Sequence, residues 1–254
     1  MAEGWNSYLC KVNDKLASIR VDLALREHAP DASCPYLLFI FVYFKTQRPD
    51  GLSSQEEFAT LCSIEDALTS AIIKECGGRM AGCITTDGRR EFYFYAPHAL
   101  HFQDALDKGL LEYGNYRYRS GHKKDPDWSQ YLQVLFPTPL QRQEIENRKV
   151  LDALESRGDS LLVERDVMHW AYFESPGDRE SFKRAALRLE YSIEEESISE
   201  GERSYSLRFK KKQAVPPDEI DRSVLELFQL AESFNGEYDG WETEIISDNS
   251  GLVQ

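Results

Sequence analysis

Pro137-Thr138-Pro139 divides the 254-residue chain, and the same succession of patterns follows on each side of it. Two prolines around a threonine close the apolar segment before them and let a helix begin only after them. The boundary therefore predicts two domains, 1–137 and 138–250, each long enough to bury its own core.

In the first half, alternation at Ile19, Val21, Leu23 and Leu25 predicts a strand, and the apolar run Tyr36 to Phe44 a second. Ser53 or Ser54, with Glu56 or Glu57 three residues on, makes a capping box. It opens a helix whose inner face is Phe58, Leu61, Leu68 and Ile72 and which stops at Gly77-Gly78. Arg79 to Thr86 and Arg90 to Tyr95 flank Asp87-Gly88, the strongest hairpin signal in the chain. A helix over about His98 to Leu111 and a strand at Tyr116 to Ser120 follow.

In the second half, Leu140, Val150, Leu151 and Leu154 mark a leading helix that stops near Gly158-Asp159, and Val163 to Phe173 a long strand. Ser175-Pro176-Gly177-Asp178 supplies an N-cap, a proline at N1 and an acid at N3 for a helix reaching about Leu189. Tyr191 to Ser197 and Arg203 to Phe209 form a hairpin about Glu200-Gly201. Pro217 and Asp218 open a helix with Ile220, Val224, Leu227, Phe228, Ala231 and Phe234 buried. Gly236 is read as its left-handed stop, Asp239-Gly240 as a tight turn, and a last strand starts near Trp241 with Thr243 and Ile245 on its face. Gly240 is expected in a conformation closed to other residues, Trp241 is expected to be buried, and the tail from Ser247 to Gln254 is expected to fray.

Each half thus runs βαββαβ, with an extra strand or hairpin before the first and a helix before the second. That order predicts an α+β protein of two ferredoxin-like sandwiches in tandem, each with an antiparallel sheet and two helices on one face. Both parities of Tyr36 to Phe44 and of Phe92 to Tyr95 are apolar, so the first sheet needs its second face covered by the N-terminal strands, the other domain or another subunit.

The net charge of −14 is unevenly placed: −3 over residues 1–137 and −11 over residues 138–254. An acidic surface repels nucleic-acid phosphates and attracts basic protein segments, though solubility alone also accounts for it. Five scattered cysteines without a Cys-x-x-Cys pair read as reduced thiols, and five dispersed histidines supply no metal-ligand spacing, so neither metal nor cofactor is expected. The acid at Glu3 and the missing apolar core of a signal peptide point to the cytoplasm, and Tyr36 to Phe44 is too short to span a bilayer.

No nucleophile elbow, phosphate loop or metalloprotease motif announces an enzyme. His169 sits mid-strand, where a core histidine is the simpler account, and Cys76 lies at a helix C-terminus, the wrong end to stabilise a thiolate. An RNA-binding alternative rests on residues 113–124, where Tyr113, Tyr116, Arg117, Tyr118, Arg119, His122, Lys123 and Lys124 interleave rings with positive charge; a solvated basic loop has the same composition.

Gly158-Asp159, His169-Trp170, Tyr172-Phe173 and Gly236-x-Tyr238-Asp239-Gly240-Trp241-Glu242-Thr243, in that order, resemble the bacterial regulator of ribonuclease E activity B family from about Leu140 to Ile246. The first half resembles an uncharacterised bacterial domain family through Asp50-Gly51-Leu52, Ile64-Glu65-Asp66 and Asp87-Gly88-Arg89-Arg90-Glu91-Phe92. The first resemblance implies a ferredoxin-type fold and a non-catalytic regulator that binds the scaffold part of ribonuclease E, lowers RNA cleavage and alters degradosome composition. His169, Tyr238, Asp239, Gly240 and Trp241 are then motif residues with a structural role.

Met168, Trp170 and Tyr172 share one parity, and Glu194, Glu196, Glu242 and Glu244 are expected beside them on neighbouring strands. Aromatic anchors among carboxylates suit an arginine-rich protein segment, whereas the same rings packed under a loop would be scaffold.

Overall fold

The computed structural model describes residues 4–246 apart from Gln47 and Glu202; the tail from Ser247 lies outside the described residues. The chain divides into two compact units, Met1–Pro137 and Thr138–Gln254.

The first unit begins with the hairpin β1 (Trp5–Val12) and β2 (Lys15–Asp22), turned through Asn13 and Asp14, both at positive φ. The strand expected to include Leu23 and Leu25 ends at Asp22. The Asp22 carboxylate accepts from Ala24 N at 3.0 Å and tightens residues 23–27 into a 3-10 turn, so a side-chain cap overrides the apolar alternation. β3 (Tyr36–Tyr43), α1 (Gln55–Cys76), β4 (Arg79–Thr86), β5 (Arg89–Ala96), α2 (Phe102–Gly109) and β6 (Tyr118–Lys124) follow. Ser54, of the two serines, caps α1 by accepting from Glu57 N, and Gly77 at φ +62 ends it. Asp87 and Gly88 both take positive φ, as a two-residue hairpin turn requires.

The sheet order is β1-β2-β4-β5-β3-β6, with all pairings antiparallel. The last four strands are the ferredoxin-like set, and the hairpin widens it. Leu61, Ile64, Leu68 and Ile72 of α1, with Phe102 and Leu106 of α2, bury Leu38, Ile40, Val42, Phe92 and Phe94 of the sheet. On the other face, part of the cover is supplied by residues 125–136. Trp128 stacks on Tyr95 with ring centroids 4.0 Å apart, Tyr131 OH donates to Asp22 O at 2.8 Å, and Tyr8 OH donates to Leu135 O at 3.0 Å. The N-terminal strands extend this sheet rather than lie across it.

The second unit opens with α3 (Pro139–Glu155), whose N-cap Thr138 forms a complete capping box with Gln141. β7 (Arg165–Phe173), α4 (Pro176–Arg188), β8 (Ser192–Ile198), β9 (Tyr205–Gln213), α5 (Pro217–Ser233) and β10 (Gly236–Thr243) follow, with sheet order β10-β7-β9-β8 and antiparallel pairing throughout. Ser175 caps α4 by accepting from Asp178 N at 3.1 Å. Val167, Ala171, Phe173, Leu207 and Phe209 point inward against Phe182 of α4, Val224 and Leu227 of α5 and Leu151 of α3.

The end of this unit departs from the sequence reading. Asn235, at φ +53, takes the left-handed position after α5, and Gly236 already pairs with Phe173 as the first residue of β10. A Cβ on Gly236 would stand 2.3 Å from the Phe173 ring, so the glycine is required for a close approach rather than for a helix stop. Asp239-Gly240 is a β-bulge inside the strand, not a turn before it: Tyr238 pairs with Ala171 and Gly240 with Trp170, leaving Asp239 as the extra residue.

Candidate functional site

The motif residues of the second unit fall into an inward cluster and an outward face, and their positions in β7 and β10 decide which. Looking inward, His169 is fully buried; its Nδ1 shares a hydrogen bond of 2.8 Å with Tyr238 OH, and its ring stacks on Phe209 with centroids 5.5 Å apart. Among the described residues Nε2 has no hydrogen-bond partner. Burial pushes the imidazole pKa down to about 3, so the ring is neutral at physiological pH. Gly240 sits at φ +123, a region that other residues rarely enter, and Trp241 is buried at 8% exposure, as the motif led us to expect. The bulge lets Tyr238 and Trp241, three positions apart, both point into the core.

Three partners of this cluster were not singled out from the sequence. Asn147 of α3 accepts from Trp241 Nε1 at 2.8 Å and donates to Asp221 at 2.9 Å, and Gln143 donates to Tyr238 O at 3.2 Å. Arg165 and Asp159 form a fully buried ion pair. Arg165 Nη2 donates to Asp159 Oδ1 at 2.8 Å, and the remaining Asp159 lone pairs accept from Leu161 N and Ile246 N. These hydrogen bonds, Arg165 foremost, hold the Asp159 carboxyl down at about 2. The only signal for Arg165 was a charged residue in step with inward Val167 and His169.

On the outward face, Met168, Trp170 and Tyr172 lie in a line, half-buried, on the side of the sheet that no helix of this unit packs against. Trp170 is flanked by Gly240 on β10 and Arg208 on β9, and Met168 by Glu242 and Lys210. The ring of carboxylates is only partly as expected. Glu194 pairs with Lys210 at 3.2 Å on this face, and Glu195 with Arg208 at 3.2 Å. Glu196, by contrast, lies opposite inward Leu207 and bonds to Lys183 at 2.7 Å and Arg179 at 3.1 Å of α4, so it belongs to the helix side. The register shift between Ile193 and Glu195 reverses the parity from which the expectation was made. Glu242 of β10 and Glu244 just beyond it lie beside Lys149 of α3 and Arg157 after its end, and the Glu244 carbonyl accepts from Arg165.

The outward face is therefore aromatic with interleaved ion pairs. Uncompensated acid gathers instead on the helices, where Asp218, Glu219, Glu226 and Glu232 are exposed on α5 and burial together with Asp221 raises the Glu144 carboxyl.

Residues 113–124 do not form a stacking platform. Tyr116 is buried and Tyr113 packs on the core, Lys45 sits over the Tyr116 ring at 4.1 Å and Arg117 over Tyr43 at 4.4 Å, and β6 pairs through Lys124. Of these tyrosines only Tyr118 is exposed. Among the described residues no group of His, Cys, Asp or Glu is placed to hold a metal ion, and no helix is long and apolar enough to cross a membrane.

Comparison with known proteins fits the two units separately. Residues 3–136 match a family of unknown function (DUF695), and residues 144–243 match the regulator of ribonuclease activity B family. No curated protein matches the chain. Among solved structures, an unknown protein from Galdieria sulphuraria is similar at 12% identity, covering 83% of this chain and 99% of its own, with a TM-score of 0.22. A hypothetical protein is similar at 7% identity, covering 97% and 96%, with a TM-score of 0.19. Likenesses at such TM-scores carry no argument. The family matches do: over its first half the chain belongs to the DUF695 family, and its second half is a domain of the regulator of ribonuclease activity B family.

Proposed function

We propose that the second unit binds a basic protein segment in a ribonuclease E-type RNA-processing enzyme and inhibits or redirects it without performing chemistry. The observation that carries this reading is the row Met168, Trp170 and Tyr172 on a sheet face left open by the unit's own helices, in a domain of a ribonuclease-regulator family. Half-buried aromatic side chains offer large contact area at low entropic cost and recur as binding hot spots. Arg208 and Lys210 beside them are already paired with Glu195, Glu194 and Asp166, so an incoming arginine exchanges partners within an existing network. The net −11 of this half supplies long-range attraction and governs the rate of encounter, while the rings hold the complex. Of the four glutamates read from the sequence, Glu194 and Glu242 lie on this face with Glu195 and Asp166, Glu244 continues its edge, and Glu196 is a control on the helix side.

Titrating the full chain against the scaffold region of the host's ribonuclease E-type enzyme, with RNA cleavage followed in parallel, tests the reading. A saturable complex whose association slows with added salt is expected. Trp170→Ala with Tyr172→Ala should speed dissociation by about tenfold or more, as hot-spot truncations do. Charge reversal at Glu194 and Glu242 should weaken binding more than reversal at Glu196. Absence of a complex at micromolar concentration, with cleavage unchanged, would remove ribonuclease E-type enzymes as the partner.

A further inference from the structure

The first unit carries a pocket that its widened sheet creates. Two helices suffice to cover the four ferredoxin-like strands, so the added β1–β2 hairpin leaves a step beside α1. A cavity of about 310 Å3 opens there, floored by Ser7, Ser18 and Thr85 and walled by Phe58 and Cys62 of α1. Three charged groups meet in it. Glu65 lies between Arg20, with which it makes a direct ion pair, and Arg90, whose Nη1 stands 3.9 Å from Glu65 Oε2. Cys83 Sγ donates to the same Oε2 at 3.7 Å.

Arg90 is only 5% exposed, yet among the described residues no carboxylate lies within hydrogen-bonding distance of it. Its Nε donates to Thr85 Oγ1 at 3.0 Å, its Nη1 stands 3.8 Å from Cys62 Sγ, and its guanidinium lies 5.2 Å from the centre of the Phe58 ring. Arg20 is more exposed and rests on the Trp5 ring at 4.1 Å. Glu65 and Asp66, the latter exposed at the mouth, balance the two guanidinium groups in number, but Glu65 engages only Nη1 of each, and among the described residues Nη2 of Arg20 and of Arg90 has no hydrogen-bond partner. A buried guanidinium donor without an acceptor is costly unless a partner completes it.

We propose that this pocket binds a small metabolite through an oxyanion that accepts from the Nη2 groups of Arg20 and Arg90, which Glu65 leaves free, with the Ser7, Ser18 and Thr85 hydroxyls as further donors. Guanidinium pairs suit the planar carboxylate and the phosphate oxygens alike, and the volume is that of a small-ligand site. The half-exposed Cys62 reports occupancy, because its sulfur lines the same space; Cys34, Cys76 and Cys83 are buried.

The experiment follows alkylation of Cys62 in the full chain by site-resolved mass spectrometry, with inorganic phosphate, acetate or chloride added at equal ionic strength. Saturable protection by phosphate or acetate at roughly millimolar concentration, the range for ligands of about five atoms, is expected, with alkylation slowed about fivefold or more and no effect of chloride. Protection by acetate alone assigns a carboxylate ligand, and protection by phosphate alone a phosphorylated one. Arg20→Gln, at a position solvent reaches, should abolish protection while leaving the melting temperature near that of the parent; Arg90→Gln provides a second test if it folds. Equal alkylation in all three salts, or protection undiminished in Arg20→Gln, overturns the proposal.

Discussion

The four ferredoxin-like strands of the first sheet and the whole of the second share one topology, but the two sheets treat their second faces in opposite ways. In the first unit, residues 125–136 fold back under the sheet. Asp125 fixes the start of that return by accepting from Tyr95 OH at 2.6 Å and from Ser129 N and Gln130 N, after which Trp128 and Tyr131 are almost wholly buried. In the second unit, no described segment of the unit returns across the sheet, and Trp170 and Tyr172 stay half-exposed. An aromatic row thus serves as core where the chain supplies a cover, and as available contact surface where it does not.

The strongest way to break this comparison is to truncate the corresponding rings. Trp128→Ala should cost about 3–5 kcal/mol of stability in denaturant melts, through the cavity it leaves. Trp170→Ala should cost at most about 1 kcal/mol, as expected for a half-exposed site. Equal losses would mean that both faces are packed and that the second has no surface to offer.

A second unit held from its helix side alone must depend on the groups buried there. Asp159→Ala strands Arg165 without its partner and should cost about 3–5 kcal/mol. The pH profile separates two contributions. His169, depressed from 6.5 to about 3, stays neutral in the fold while the unfolded chain takes up a proton, so stability is full above pH 6.5 and is lost as pH falls toward 3. Within that window each pH unit lowers the folding constant by about tenfold. Asp159, depressed from 3.8 to about 2, adds stability that is present above 3.8 and lost as pH falls through 2. Urea midpoints measured from pH 8 to 3 should flatten in the double variant His169→Phe, Tyr238→Phe; an unchanged slope would show that another group titrates.

Backbone strain should cost less than the loss of either buried partner. Gly240→Val, at φ +123, should destabilise by about 1–3 kcal/mol in the same melts. Among the described residues a Cβ there meets only Gln143 Oε1, at 3.9 Å, so conformation rather than crowding sets the cost.

Features whose causes are local were legible in the sequence. Ser175 with Asp178, Asp87-Gly88 and the alternation of β7 each depend on neighbours a few residues away, and each is found as read. The glycine at 240 was also legible, but not its setting, because a tight turn and a bulge make the same demand for positive φ and only the pairing with Trp170 distinguishes them. The carboxylates of the candidate site were half legible for a related reason: the irregularity at Glu194 turns Glu196 to the helices, and no local pattern announces it. Asn147 and the cover from Trp128 were out of reach, since each meets its partner across a long stretch of chain; Arg165 meets Asp159 only six residues away, but no local pattern announces that both are buried.

The bulge also has a consequence for length. Because strand side chains alternate, Tyr238 and Trp241, an odd three positions apart, face the same way only because the bulge takes up Asp239. Asp239 is exposed, and its side chain can change. Removing that residue would leave Tyr238, Gly240 and Trp241 as consecutive partners of Ala171, Trp170 and His169, a regular alternation that keeps the indole inward beside Asn147. A deletion of Asp239 should accordingly be milder than a single-residue insertion beside it, which would turn Trp241 outward unless a second irregularity absorbed it.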